Sequence, residues 1–201
     1  AVRGGYGSVQ MLPLLDRARM TANPKLFIAY SDNTSLLSWL TCTCQITALH
    51  GPMLEGRLAN GVDHYDERSL IALTQNGRGL ELSPEMMVSL RDGEASGPLF
   101  GGTMMQLVAS LGTPYAFDPP EGCVLFLEDV NERPYRVDRM LTQLHLSGVL
   151  GRARALVFGE MRGCDEPGGV VTAHQVIERM TKAGGEAQFS SRMRISRTPA
   201  G

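Results

Sequence analysis

Between Cys123 and Phe158 the chain sets a short apolar run, Cys123-Val124-Leu125-Phe126-Leu127, then a helical pattern, then a second run, Ala155–Phe158. Over Tyr135–Val149 the residues Val137, Met140, Leu141, Leu144 and Gly148 recur at helical spacing, so one face of a helix is apolar. Uninterrupted short apolar runs suit strands buried on both faces, as in parallel sheets. The same alternation occurs earlier. Lys25–Tyr30 reads as a strand, Ser35–Leu40 opens a helical pattern, and Ile46–Leu49 is another buried run. Strands that alternate with helices select the α/β class.

Composition narrows the class further. With 43% hydrophobic and 20% charged residues over 201 positions, the chain can bury one large core or two small ones, and wholesale disorder is excluded. Nineteen basic and 21 acidic residues give a net charge of −2, which is not the balance of a non-specific nucleic-acid binder. No apolar run reaches the roughly 18 residues a membrane span requires. Cys42, Cys44, Cys123 and Cys164 are too few and too scattered for a disulfide framework, and they read as reduced thiols or core filler. The Cys42-Thr43-Cys44 spacing is not that of a zinc ribbon, so no metal is expected.

Further elements follow from local signals. Val9–Arg19 is a short helix candidate interrupted by Pro13, and Asp66–Leu73 reads as a helix. Glu85–Leu90 is weakly patterned. Arg91–Gly102 holds four glycines and no regular pattern, which places a domain boundary there: 1–92 and 93–201. Thr103–Leu111 reads as a short helix. Thr172–Ala183 is another, with Thr172 as its cap and Gly184-Gly185 as its stop. The first residues, with no initiator Met, already carry a glycine-rich turn that normally follows a strand. The expectation is a chain whose first strands are missing. From about Glu186 the hydrophobic period disappears, as in a solvated tail or an aberrant end.

Three groups stand out chemically. Ser31 follows an apolar run and precedes a helical one, the layout by which a strand–turn–helix elbow exposes a hydroxyl. Small Ala29 precedes it by two positions, and Asn33 follows by two. The full G-x-S-x-G pattern is absent, and Ser-Asp-Asn-Thr is equally the composition of a helix cap. Ser31 is therefore expected on a tight turn between the Lys25–Tyr30 strand and a helix starting near Asn33. Arg3-Gly4-Gly5-Tyr6-Gly7 can aim backbone N–H groups at an anion, or can simply be a turn. Glu128 ends the Cys123–Leu127 run, at the sheet edge where α/β proteins build sites. The charges after it read as surface pairs. None of the histidines, His50, His64, His145 and His174, announces itself as the base a serine nucleophile needs.

Taken in order, Arg3-Gly4-Gly5-Tyr6-Gly7, Ala29-Tyr30-Ser31-Asp32-Asn33-Thr34, His50-Gly51-Pro52-Met53, Gly101-Gly102, Leu111-Gly112-Thr113-Pro114, Leu125-Phe126-Leu127-Glu128-Asp129-Val130 and Tyr135–Leu141 resemble the LD-carboxypeptidase family. That family comprises the muramoyl-tetrapeptide carboxypeptidases and the related microcin C self-immunity peptidases. The resemblance covers about residues 1–180. It implies a Rossmann-like N-terminal domain, here short of its first strands, and a smaller mixed α/β C-terminal domain. It implies a Ser–Glu–His serine peptidase in which Ser31 matches the nucleophile and Glu128 the acid, with both facing one cleft. The backbone N–H groups of Gly5 and Asp32 match the oxyanion hole. The implied reaction is hydrolysis of the L,D-amide to the terminal D-alanine of murein tetrapeptides, in cytoplasmic peptidoglycan recycling. No metal or organic cofactor, nucleic acid or membrane is implied, and a homodimer is.

Three departures qualify the match. Ala29 stands where the family has glycine, and Thr103 where it has asparagine after Gly-Gly. The family histidine belongs in a Gly-His stretch beyond the last helix, yet no histidine follows His174. The chain is therefore expected to turn over little substrate by itself. Two alternatives are a microcin C self-immunity-type serine peptidase and a non-catalytic protein that binds peptidoglycan peptides.

Overall fold

The computed structural model describes residues 1–76, 81–82, 88–183 and 193–194. Its elements are α1 (Ser8–Met11), α2 (Arg17–Ala22), β1 (Phe27–Ala29), α3 (Thr34–Ser38), β2 (Ala48–His50), α4 (Glu67–Ile71), β3 (Glu81–Leu82), β4 (Leu99–Thr103), α5 (Met104–Ser110), β5 (Cys123–Val130), α6 (Pro134–Leu146), β6 (Ala153–Arg162), α7 (Ala173–Ala183) and β7 (Met193–Arg194). The fold is mixed α/β with parallel strand pairs. The chain forms two compact units. Ala1–Leu80 and Gly101–Asp118 make the first, and Glu81–Phe100 and Pro119–Gly201 the second. The chain leaves the first unit after Leu80 and returns to it at Gly101.

In the first unit β1 and β2 run parallel, pairing Phe27 with Ala48, Ile28 with Leu49 and Ala29 with His50. The Ala1 amino group donates to the Ile28 carbonyl at 2.7 Å. Leu12, Trp39, Leu40, Cys44 and Ile46 form a buried cluster, with Val9, Leu36 and Tyr115 packed against it. Pro13 breaks the Val9–Arg19 pattern into α1 and α2, since a mid-helix proline lacks the needed N–H. Asp16 caps α2 through the Arg19 amide. The Ser35–Leu40 pattern forms as α3, which widens into π-type turns over Trp39–Thr43. Asp66 caps α4 by accepting from the Ser69 amide.

In the second unit the sheet order is β4–β5–β6, with β5 and β6 parallel. Leu125 and Leu127 are fully buried, as are Val137, Leu141 and Leu144 on the apolar face of α6. Each such side chain contributes about 2 kcal/mol by leaving water. α6 begins one residue before its predicted start, with Pro134 in its first turn, where the missing N–H costs nothing. α7 packs on α6. Thr172 accepts from the Gln175 amide while the Gln175 side chain accepts from the Thr172 amide, a reciprocal cap.

Two sequence expectations are corrected. Arg91–Gly102 is not patternless, for Leu99–Gly102 belong to β4. The strand predicted over Ala155–Phe158 is longer, for β6 runs from Ala153 to Arg162. Glu85–Met87 and nearly all of Glu186–Gly201 lie outside the described residues. Within that last stretch Met193–Arg194 pairs antiparallel with Glu81–Leu82. None of the four cysteines forms a disulfide, and burial pushes the Cys42 and Cys164 thiols up. No group of three or more potential metal ligands occurs among the described residues. No helix among them is long and apolar enough to cross a membrane.

Candidate active site

Ser31 sits where β1 gives way to helix. The strand ends at Ala29, Tyr30 is extended, and a 3-10 turn, Ser31–Asn33, leads into α3. Ser31 itself has φ 62°. This left-handed conformation costs a non-glycine residue about 1–2 kcal/mol, so the surroundings must hold it. Ala29 is fully buried and the strand packs tightly there.

The residues after Ser31 are not spent on capping. Neither the 3-10 turn nor α3 has a side-chain cap. They bind instead to segments distant in sequence. The Asp32 carboxylate accepts from the Ser8 amide at 2.8 Å and from the Gln106 side-chain amide at 3.3 Å. The Ser8 hydroxyl donates to the Asp32 carbonyl. The Asn33 amide donates to the Arg3 carbonyl at 2.9 Å and touches the Met53 sulfur at 3.5 Å. Thr34 accepts from the Thr103 amide at 3.2 Å, and the Ser35 hydroxyl donates to Gln106 at 3.0 Å. The Ser31 hydroxyl makes no hydrogen bond to any described residue.

The glycine-rich loop lies against this turn. A Cβ at Gly4 would stand 3.3 Å from the Ser31 Cβ and 3.4 Å from its Oγ. Gly5 and Gly7 both have positive φ, 121° and 111°, which only glycine adopts without penalty. Gly102 meets the same segment at Thr34. A Cβ on Gly102, itself at φ 147°, would fall 2.7 Å from Thr34 Cγ2 and 2.9 Å from its Oγ1. Thr34 cannot swing away without giving up its bond to the Thr103 amide. Gly102→Ala should therefore destabilise the chain by about 2–3 kcal/mol. Thr34→Ala in the same chain should recover part of that, as read by urea unfolding.

Glu128 belongs to the second unit, in β5, half-buried between fully buried Leu127 and the buried Asp129. Leu127 pairs with Phe158 but Asp129 with Met161, so Glu128 stands opposite both Gly159 and Glu160. Such a bulge re-aims a side chain. A Cβ at Gly159 would come within 3.0 Å of the Glu128 Cβ and of the Phe126 ring, so Gly159 is what makes room for Glu128. The charges that follow are surface pairs, as expected: Arg136 with Glu132 at 3.3 Å, Arg133 with Glu166 at 3.4 Å and Arg179 with Asp138 at 2.8 Å. Exposed pairs of this kind contribute about 0–1 kcal/mol each.

His50 ends β2 with its ring centroid 6.1 Å from that of Tyr30. Desolvation by the surrounding chain lowers its imidazole to about 4, although the residue keeps an exposed edge. His50 is therefore neutral at pH 7. His64, His145 and His174 are exposed. The clamp residue Gln106 escaped the sequence reading. It sits in α5 among Met104, Leu107 and Val108, and a glutamine on the flank of an amphipathic helix carries no distinguishing pattern.

Residues 1–51 match the LD-carboxypeptidase N-terminal domain and residues 96–190 the LD-carboxypeptidase C-terminal domain. A murein tetrapeptide carboxypeptidase of Pseudomonas aeruginosa is 34% identical over 170 residues, 81% of this chain and 55% of its own length. The microcin C7 self-immunity protein of Escherichia coli is 25% identical over 202 residues, 87% of this chain and 59% of its own. The crystal structure of a muramoyltetrapeptide carboxypeptidase from Oxalobacter formigenes superposes with a TM-score of 0.79 at 27% identity, covering 94% of this chain and 65% of that one. The chain spans about half the length of the curated relatives it matches. Motif order, the serine turn with its glycine loops, the parallel α/β architecture and the domain matches at both ends converge: the chain belongs to the LD-carboxypeptidase family.

Proposed function

We propose that the chain is part of a serine carboxypeptidase that hydrolyses the L,D-amide to the terminal D-alanine of murein tetrapeptides, in cytoplasmic peptidoglycan recycling. One observation carries the reading. Ser31 is held in a left-handed turn at a strand end, with its hydroxyl bonded to none of the described residues and Gly4 packed on it. A merely structural serine in a Ser-Asp-Asn-Thr turn would spend its hydroxyl on the helix amides. In this reading Ser31 attacks the scissile carbonyl. The backbone N–H groups of Gly5 and Asp32 stabilise the oxyanion, and Glu128 is the acid that orients the base. No metal or cofactor takes part.

The base is the element this sequence does not supply in the family's context, since no histidine follows His174. A serine hydroxyl without a base is a poor nucleophile at neutral pH, so the chain by itself turns over little. A second reading is a protein that binds peptidoglycan peptides without cutting them. The test is D-alanine release from a murein tetrapeptide. It compares this chain with one extended by the histidine-containing C-terminal segment of a family relative. Release by the extended form only is the expected result. Tight tetrapeptide binding with no release by either form would support the binding protein. Robust release by the chain alone, lost on His174→Ala, would make His174 the base. A microcin-type activity would show instead as cleavage of an aminoacyl sulfamoyl adenosine, the kind of ligand held by the related self-immunity protein.

A further inference from the structure

We propose that Gln106 is a positioning residue for the nucleophile: by clamping Asp32 and Ser35 it keeps Ser31 in its left-handed turn and, through Asp32 and Ser8, locks the glycine-rich loop to that turn. The inference rests on the reading of Ser31 as the nucleophile for its catalytic consequence, but not for the clamp itself.

The geometry is that of a bracket. Gln106 projects from α5, and its two amide atoms address two residues of the Ser31–Ser38 segment. Its nitrogen donates to Asp32 at 3.3 Å, and its oxygen accepts from the Ser35 hydroxyl at 3.0 Å. Asp32 and Ser35 are both buried. The carboxylate's other oxygen takes the Ser8 amide at 2.8 Å, and the Ser8 hydroxyl returns to the Asp32 carbonyl. Ser8 opens α1 directly after Gly7. One chain of bonds therefore runs from α5 through Asp32 to the end of the glycine loop. The peptide that carries the Asp32 N–H is the one that joins it to Ser31. A residue fixed in the left-handed region persists only where its surroundings over-determine it, and bonds to a charged partner are the stronger kind. The turn is also held by Asn33 and Thr34. Gln106 is distinct among these contacts, because it alone reaches both ends of the first helical step after Ser31.

The arrangement has a chemical polarity that can be exchanged. Gln106→Met keeps the length and loses both bonds. Gln106→Glu sets a second carboxylate against Asp32, and Asp32→Asn leaves a donor in place of one of the two oxygens that accept from Gln106 and Ser8. Each single change should loosen the turn. In the double variant Asp32→Asn/Gln106→Glu the amide donates from position 32 to a carboxylate at position 106. The Ser8 amide and the Ser35 hydroxyl then keep their acceptors.

The experiment is hydrogen exchange on the full chain, read at the Ser8 amide, which donates to Asp32, and the Thr34 amide, which donates to the Ser31 carbonyl, against α6 as an internal standard. Single variants should lose about tenfold or more of the protection at Ser8 and Thr34 with α6 unchanged, and the double variant should regain most of it. Where the protein releases D-alanine, kcat should fall about tenfold in the single variants with KM within about twofold, and recover in the exchanged pair. Unchanged protection in Gln106→Met, or a double variant no better than the singles, overturns the clamp. Exchange needs no turnover. A wild-type chain that releases no D-alanine therefore counts against the peptidase reading alone, and Ser8 and Thr34 still decide the clamp.

Discussion

Ser31→Ala should abolish D-alanine release, by about 10⁴-fold or more in a form that turns over tetrapeptide, because the attacking oxygen is gone and only binding and oxyanion stabilisation remain. The same substitution should scarcely change the fold. The hydroxyl bonds to no described residue, so its removal strands no partner. The backbone makes a second comparison informative. At φ 62° alanine retains the left-handed penalty and glycine does not, so Ser31→Gly should be the more stable of the two inactive variants by about 1 kcal/mol. Denaturant midpoints for the two variants, beside a D-alanine assay, check both statements. Residual turnover above about a hundredth of the parent rate in Ser31→Ala would remove Ser31 from the chemistry. An alanine variant at least as stable as the glycine variant would remove the strain argument.

Gly97→Ala should be the most destabilising single-methyl change in the second unit, at about 3 kcal/mol or more. A Cβ there would lie 2.2 Å from the Gly122 carbonyl oxygen and 3.3 Å from its carbon. Both contacts are backbone, which cannot rotate aside as a side chain can. The backbone is also tied down on each side. The Gly122 amide donates to the Arg152 carbonyl at 2.8 Å, and the Val124 amide donates to the Pro98 carbonyl at 2.9 Å. Relief would have to come from opening the β4–β5 approach just ahead of the strand that carries Glu128. In a chain of this size such a loss lowers Tm by roughly 6–12 °C. A change below about 1 kcal/mol would show that the approach is looser than drawn. Gly5→Ala should cost less, because nothing lies within 4 Å of its Cβ position and only its positive φ opposes the substitution.

The order of strands and helices was legible in the sequence because burial writes itself as a period. The α6 face, the Cys123–Leu127 run and the caps at Asp16, Asp66 and Thr172 are local, and each needs only its own neighbours. The position of Ser31 between strand and helix was legible for the same reason, as was the resemblance that marked Gly5, Asp32 and Glu128. What tertiary structure alone decided is the state of those residues. Nothing local sends a serine to φ 62°, since its own preference opposes it. Contacts with Ser8, Arg3, Gln106 and Thr103, up to 74 positions away, hold the turn that carries it. The strand at Leu99–Gly102 was invisible because its glycines disfavour strands, and Gly102 is there to clear the Thr34 side chain. The bulge at Glu128 is a property of the pairing of β5 with β6, not of β5. Periodicity records which face of an element meets the core. It does not record which distant backbone must come close, and in this chain those close approaches set the geometry of the site.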